Sequence, residues 1–141
     1  MPAPEHVAEV VGEWVDKAEN DLKNAAHTLT MGEKCPTDTV CFHAQQCVEK
    51  YLKAFLVCSS IEFPKTHDIA AIMLLMPEQT RPKLTIGEQR TLTTYATVAR
   101  YPGYREPITL ADARRAVAIA RRVRREIRRL LPKEALRRRR A

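Results

Sequence analysis

The chain has 141 residues, of which 45% are hydrophobic and 29% charged, enough for one domain with a substantial core. Aromatic residues make up 6% and there are four glycines, which disfavours an all-β sandwich or barrel. The four cysteines, without a signal-peptide pattern, argue against a secreted disulfide scaffold. The longest apolar run, residues 69–76, is too short to span a bilayer. We therefore expect a cytoplasmic protein with no membrane association.

The charge is unevenly distributed along the chain. Residues 111–141 hold thirteen Lys and Arg against three Asp and Glu, a net charge of +10. The first 110 residues hold eleven against fourteen, a net charge of −3. Such asymmetry favours a basic surface for nucleic acid, an acidic partner or an anionic surface, and the alternative is a solvated Arg-rich helix face. We assign residues 5–131 to one domain and residues 132–141 to a basic C-terminal tail.

Two long helices are predicted in the first half of the chain. Gly32 follows the first apolar stripe, where a helix C-cap favours glycine. Thr37 or Asp38 is the expected N-cap of the second helix. Both stripes repeat every three or four residues, as an amphipathic helix requires. They comprise Val7, Val11, Trp14, Ala18, Leu22, Ala25 and Leu29 in the first helix, and Val40, Ala44, Cys47, Val48, Tyr51, Phe55 and Cys58 in the second.

Three further helices are predicted in the second half. A short one follows Thr66, the expected cap. Capping-box spacing of Thr85 with Glu88 opens a fourth helix, and the same spacing of Thr109 with Asp112 opens a fifth. No useful strand alternation is present. The sequence therefore predicts an all-α fold, an antiparallel bundle of four longer helices and one short helix.

Several segments carry a recognisable pattern. CFHAQQCVEKYLKAFL at 41–56 is similar to the FHAQQAxEKxLKAxL helix of HEPN-domain proteins of the nucleotidyltransferase-associated type. WVDKAENDL at 14–22, FPKTHDI at 63–69, YATVARYP at 95–102 and ITLADARRA at 108–116 resemble further segments of the family in the same order. The resemblance spans about residues 12–131. It implies the antiparallel bundle and a homodimer.

The resemblance also implies a choice of functions. Members often work beside a minimal nucleotidyltransferase in two-gene, toxin–antitoxin-like modules; many are RNases and others bind nucleotides. RNase members carry an Arg followed four to six residues later by a His. Here the last histidine, His67, precedes the first arginine, Arg81, so that pair is absent. We expect a non-catalytic binding protein for a nucleotide, RNA or a nucleotidyltransferase. The alternative is a metal-independent ribonuclease with a non-standard site, using His43 or His67 beside an arginine.

A polar face on the second helix is one candidate site. Gln46, Glu49, Lys50 and Lys53 are three or four residues apart and share a face, with His43 nearby. They could form a pocket in which Lys50 or Lys53 binds a phosphate. The alternative is a solvated face with an ordinary ion pair between Glu49 and Lys53.

The segment at 100–105 is the second candidate site. Arg100, Tyr101, Tyr104 and Arg105 could grip a phosphate and stack a base. Alternatively, Arg100 bonds the carbonyls at a helix end and Tyr101 fills the end of the bundle. A nucleotide-binding module would need this loop and both lysines around one cleft.

Other candidates are weaker. His67 and Asp68 could form a base with its carboxylate, but helix capping by Thr66 and Asp68 explains them better. The arginines of the fifth helix could follow a polyanion by charge alone, although a solvated face is the default. The cysteines lack C-x-x-C spacing, so neither a metal nor a cofactor is predicted.

Overall fold

The computed structural model describes residues 4–137 and is all-helical over that part of the chain, which confirms the predicted fold class. Three single-turn 3₁₀ segments, 32–34, 78–80 and 98–100, lie between the α-helices. None of the described helices is long and apolar enough to cross a membrane. The α-helices are α1 (Pro4–Leu29), α2 (Thr37–Cys58), α3 (Ile69–Leu74), α4 (Ile86–Ala96), α5 (Leu110–Arg128) and α6 (Lys133–Leu136).

Helix α2 is the centre of the bundle and contacts α1, α3, α4 and α5. Its side chains are buried on nearly every side, including Tyr51, Leu52 and Leu56, which are fully inaccessible. The predicted α1 and α2 stripes all join the core or pack against it. The long helices α1, α2, α4 and α5 alternate in direction, so each is antiparallel to the one before it. This arrangement confirms the antiparallel bundle.

Three of the predicted helix signals are confirmed. Gly32 follows α1 with φ +66°, a left-handed conformation that glycine adopts without steric cost. Thr85 and Glu88 bond each other's backbone N–H groups in a complete capping box, as do Thr109 and Asp112.

Two predicted caps are wrong. Pro36 is the N-cap of α2, and the hydroxyl of Thr37 instead donates to the carbonyl of Ile108, which ties α2 to the segment before α5. Asp68 alone caps α3, through its carboxylate and the N–H of Ala71. The hydroxyl of Thr66 instead accepts from the N–H of Asp68, the residue before α3 begins. Thr37 and Thr66 thus lie near a helix start, but their hydroxyl groups bond groups other than the N–H groups of that helix.

Helix α6 lies within the segment assigned to the tail. Pro132 precedes it, and Ala135 is buried where α6 packs against α1. Residues 133–136 are therefore folded onto the bundle. The arginines at 138–140 lie outside the described residues.

Candidate functional site

Two residues of the predicted polar face, Glu49 and Lys53, lie inside the bundle together with Gln45. Gln45, Glu49 and Lys53 are 0%, 3% and 7% exposed. One carboxylate oxygen of Glu49 accepts from Nζ of Lys53 at 2.9 Å, and the other accepts from Nε2 of Gln45 at 2.9 Å and Nδ1 of His67 at 2.9 Å. The ion pair between Glu49 and Lys53 therefore forms, but not on a solvated face.

Lys53 is fully engaged by the surrounding structure. Its ammonium also donates to the carbonyl of Thr66 at 3.1 Å and lies 6.0 and 5.6 Å from the ring centroids of Trp14 and Phe63. Burial disfavours the charged form of Glu49, yet hydrogen bonds, first from Lys53, outweigh it and hold the pKa of this carboxyl below its ordinary value. The network holds the segment before α3 against α2. Its hydrogen-bond donors, on Gln45, Lys53 and His67, have acceptors within the protein.

A second polar cluster joins α1 to the outer side of α2. Asp21, 8% exposed, accepts from Nδ1 of His43 at 2.8 Å and from Nζ of Lys50. A carboxylate only accepts, so His43 donates to Asp21 through its Nδ1–H. Gln46 donates to Gln45 at 2.8 Å and so extends the buried network. Sequence analysis missed Asp21, whose only signal was its place in the segment 14–22.

The loop at 100–105 lies against the start of α2. The Arg100 guanidinium carbon is 4.3 Å from the ring centroid of Phe42 and 5.6 Å from that of Tyr101. Tyr101 is 60% exposed, so it does not fill the end of the bundle. Tyr104 is half-buried and packs on the core, and Arg105 is exposed. A cleft of about 440 Å³ opens along this loop.

The structure brings some of the predicted site residues together and separates others. Arg100 lies over the ring of Phe42, and that ring packs edge-on against His43. Asp21 bonds both His43 and Lys50. These groups share one side of α2. Lys53 lies eleven residues beyond Phe42, about 16 Å along the helix, and points into the buried network. Arg100 and Lys53 therefore do not line one cleft of this chain.

A basic cleft of about 590 Å³ runs between α1 and α5. Among the residues that the structure describes, six cationic side chains line it against a single carboxylate, that of Glu19. The sequence favours a solvated face for the α5 arginines and gives no sign that α1 lies opposite them. The lining residues are Glu19, Leu22, Lys23, Ala26, Arg121, Arg124, Arg125, Arg128 and Arg129.

A hydrogen-bonded chain crosses the floor of this cleft. Glu19 accepts from Nε of Arg124 at 2.8 Å and from the hydroxyl of Tyr51, which itself accepts from Arg128 at 3.2 Å. Burial disfavours the charged form of Glu19, but the bonds from Arg124 and Tyr51 outweigh it and lower its pKa. These hydrogen bonds hold the guanidinium groups of Arg124 and Arg128 in place and join α1, α2 and α5.

The other cationic groups of the cleft are not engaged in this way. Arg121, Arg125 and Arg129 are exposed and make no hydrogen bond or ion pair with any residue the structure describes. Their donors face solvent and can take an anionic ligand without breaking an internal contact.

Three of the cysteines, Cys35, Cys41 and Cys47, are buried, and Cys58 is partly buried. All four are unpaired, and burial raises the pKa of Cys41 to about 12. Within residues 4–137, no three His, Cys, Asp or Glu side chains cluster as metal ligands would.

Comparison with known proteins places this fold among known structures. The family model described as HEPN domain matches residues 11–130. TT1696 from Thermus thermophilus is similar in fold, with a TM-score of 0.72 and 21% identity, over 87% of this chain and 99% of that chain. ST0689, an archaeal HEPN homologue, has a TM-score of 0.63 and 26% identity, over 86% and 98%. A comparison with curated proteins gives no match.

Proposed function

The chain belongs to the HEPN-domain family, and on that premise we propose that it is a non-catalytic RNA-binding protein that holds RNA phosphates in the basic cleft between α1 and α5. The observation that carries this proposal is the set of six cationic side chains around one carboxylate. Guanidinium groups bind phosphate oxygens through charge-assisted, often paired, hydrogen bonds. A cleft that concentrates these groups attracts a polyanion in preference to a neutral or cationic ligand.

The spacing of the arginines favours a polymer over an isolated phosphate. Arg114, Arg121, Arg125 and Arg128 are separated by seven, four and three residues, so they form one stripe along α5. Each turn advances about 5.4 Å along the helix. Successive phosphates of a nucleic acid strand can therefore meet successive arginines, whereas a single phosphate reaches only part of the stripe.

The absence of catalysis is supported by what lines the cleft. RNA cleavage by attack of the 2′-hydroxyl needs a titratable base near the phosphate, and histidine is the usual one at neutral pH. No histidine lines the cleft between α1 and α5. The cations there can bind a backbone, but no neighbouring imidazole can remove the 2′-hydroxyl proton.

A ribonuclease with a non-standard site is the second candidate, favoured by the cluster around His43. The bond from Nδ1 to Asp21 orients the ring and leaves Nε2 free, as for a general base. Lys50 lies on the same carboxylate, and Arg100 lies on the neighbouring Phe42 ring. These groups could supply the base and the cations that the missing Arg–His pair provides elsewhere in the family.

One experiment separates the two candidates. Labelled tRNA and mRNA are incubated with the purified protein, and binding and cleavage are read from the same samples at rising salt. We expect RNA that is bound at low salt, released as salt rises, and intact throughout. Cleavage abolished by His43→Ala would establish the second candidate instead. Neither binding nor cleavage at low salt would contradict both.

We also propose that the protein forms a homodimer and works with a nucleotidyltransferase-like partner in a toxin–antitoxin-like module. The support is family membership, together with the large apolar side chains that the single chain exposes: Leu74, Ile86 and Val98 are 72%, 67% and 55% accessible. Light scattering on the pure protein is expected to give the mass of a dimer. A monomer at micromolar concentration would refute the dimer.

A further inference from the structure

We propose that the loop at 100–105 is a stacking platform for one unpaired nucleobase, with Tyr101 as the stacking ring and Arg100 as the ligand of the adjacent phosphate. The inference rests on the proposed function and narrows it, since it makes the ligand a single strand of RNA. A base inside a duplex is already stacked on both faces and is closed to such a ring.

Tyr101 is held in the open by a fixed turn. Its own N–H donates to the carbonyl of Val98 at 3.2 Å, and the N–H of Tyr104 donates to the Tyr101 carbonyl at 3.3 Å. Gly103 has φ +96°, which only glycine adopts readily, and Tyr104 anchors the loop on the core. A base that stacks on the 60% exposed ring therefore meets a surface that needs little further ordering.

Arg100 is oriented without spending its hydrogen-bond donors. The guanidinium carbon lies over the rings of Phe42 and Tyr101, at 4.3 and 5.6 Å from their centroids. It makes no hydrogen bond or ion pair with any residue between 4 and 137. A planar cation held by its faces keeps its edges for an acceptor, and a phosphate oxygen is the acceptor that this fork fits best.

The rim of the cleft favours a base over a second phosphate. Asp38 and Glu106 line it beside the two tyrosines. Two carboxylates repel an additional anion, whereas they accept hydrogen bonds from the amino and imino groups of a nucleobase. The same cleft thus offers an aromatic face, one free guanidinium and two acceptors, which together match one nucleotide of a strand.

The platform and the basic cleft contact α2 at different points along its length. Thr37 bonds Ile108 near the platform, and Tyr51 bonds Arg128 at the cleft. These two points of α2 are fourteen residues, or about 21 Å, apart. A stacked strand advances about 3.4 Å per nucleotide, so roughly six nucleotides are needed to reach both sites.

The test compares three RNAs by fluorescence anisotropy: an unstructured single strand of about twelve nucleotides, roughly twice the required span, its abasic counterpart, and a blunt duplex. We expect Tyr101→Ala to weaken binding of the single strand by about tenfold or more, the loss typical of one stacked base. The abasic strand and the duplex should be unaffected. Tyr101→Phe, which keeps the ring, should bind the single strand like the parent protein.

The outcomes separate this inference from the proposed function. Equal binding of the single strand by the parent and Tyr101→Ala would overturn the platform and leave the basic cleft untouched. A loss that extends equally to the abasic strand and the duplex would also overturn it. A titration with ATP provides the last arm: if Tyr101→Ala weakens only ATP binding, the platform serves a free nucleotide, and the assignment to RNA is wrong.

Discussion

Replacing Lys53 with methionine is expected to destabilise the protein by about 3–5 kcal/mol, because it leaves Glu49 as an uncompensated charge inside the bundle. The side chains of Lys53 and Glu49 are 8% and 5% exposed, so water cannot replace the lost partner. Methionine retains the length of the lysine stem, which limits the change to the charge and its hydrogen bonds. Urea unfolding followed by circular dichroism measures the loss.

The matched control is the same substitution at Lys50, one residue from Glu49 on the same helix. Its side chain is 25% exposed, and Asp21 keeps the bond from His43 when Lys50 is removed. We expect Lys50→Met to cost less than Lys53→Met, because Lys50 is itself partly exposed and Asp21 keeps its bond from His43. The double variant Glu49→Gln with Lys53→Met removes both charges and should recover much of the stability. If Lys53→Met costs no more than Lys50→Met, the buried network does not stabilise the fold.

The cost of Lys53→Met should depend on pH in a defined direction. In the parent protein the pKa of Glu49 is held below its ordinary value, so its contribution is present at neutral pH and is lost as pH falls through the folded-state pKa. Without Lys53, the largest contribution that lowers the pKa of Glu49 is lost, and burial shifts that pKa upward. The difference between parent and variant should therefore be largest near neutral pH and shrink below about pH 4, where the unfolded state also protonates.

The polar face of α2 shows how far sequence reasoning reaches. The three-and-four spacing identified the ion pair between Glu49 and Lys53 correctly, since spacing along one helix is a local property. The structure divides the rest of the predicted face, because Lys50 and His43 bond Asp21 instead. The spacing could not reveal that the segment before α3 closes over the ion pair and buries it through His67, Thr66 and Phe63. Burial of a polar face depends on what packs against it, and that partner lies outside the helix.

The basic cleft shows the same limit of sequence reasoning, because it too depends on a contact between distant segments. The arginines of α5 were visible in the sequence, but a cleft needs a second wall. That wall is α1, more than ninety residues earlier, where Glu19 meets Arg124. Neither Glu19 nor Tyr51 carried a signal beyond ordinary helix periodicity. Capping boxes, in contrast, are complete within four residues and were predicted correctly at Thr85 and Thr109.

Removing the two free arginines Arg121 and Arg125 together is expected to weaken RNA binding by on the order of a hundredfold at low salt. A hydrogen bond to a charged group contributes roughly 1.5–3 kcal/mol, or about tenfold or more for each guanidinium. Arg124 and Arg128 are avoided, because their loss would also break the bonds to Glu19 and Tyr51 and confuse binding with stability. Anisotropy with a labelled single-stranded RNA across a salt series measures both affinity and its salt dependence.

The salt series gives this prediction its specificity. Each phosphate contact on a single strand contributes about 0.7 to the slope of log affinity against log salt, so Arg121→Ala with Arg125→Ala should lower the slope by about 1.4. The control variant, Lys65→Ala with Arg90→Ala, removes the same net charge from exposed positions outside the cleft. Because long-range attraction depends on net charge while counterion release depends on contacts, only the cleft variant should change the slope by that amount. Equal effects of the two variants would mean that the protein attracts RNA by overall charge and that the cleft is not its binding site.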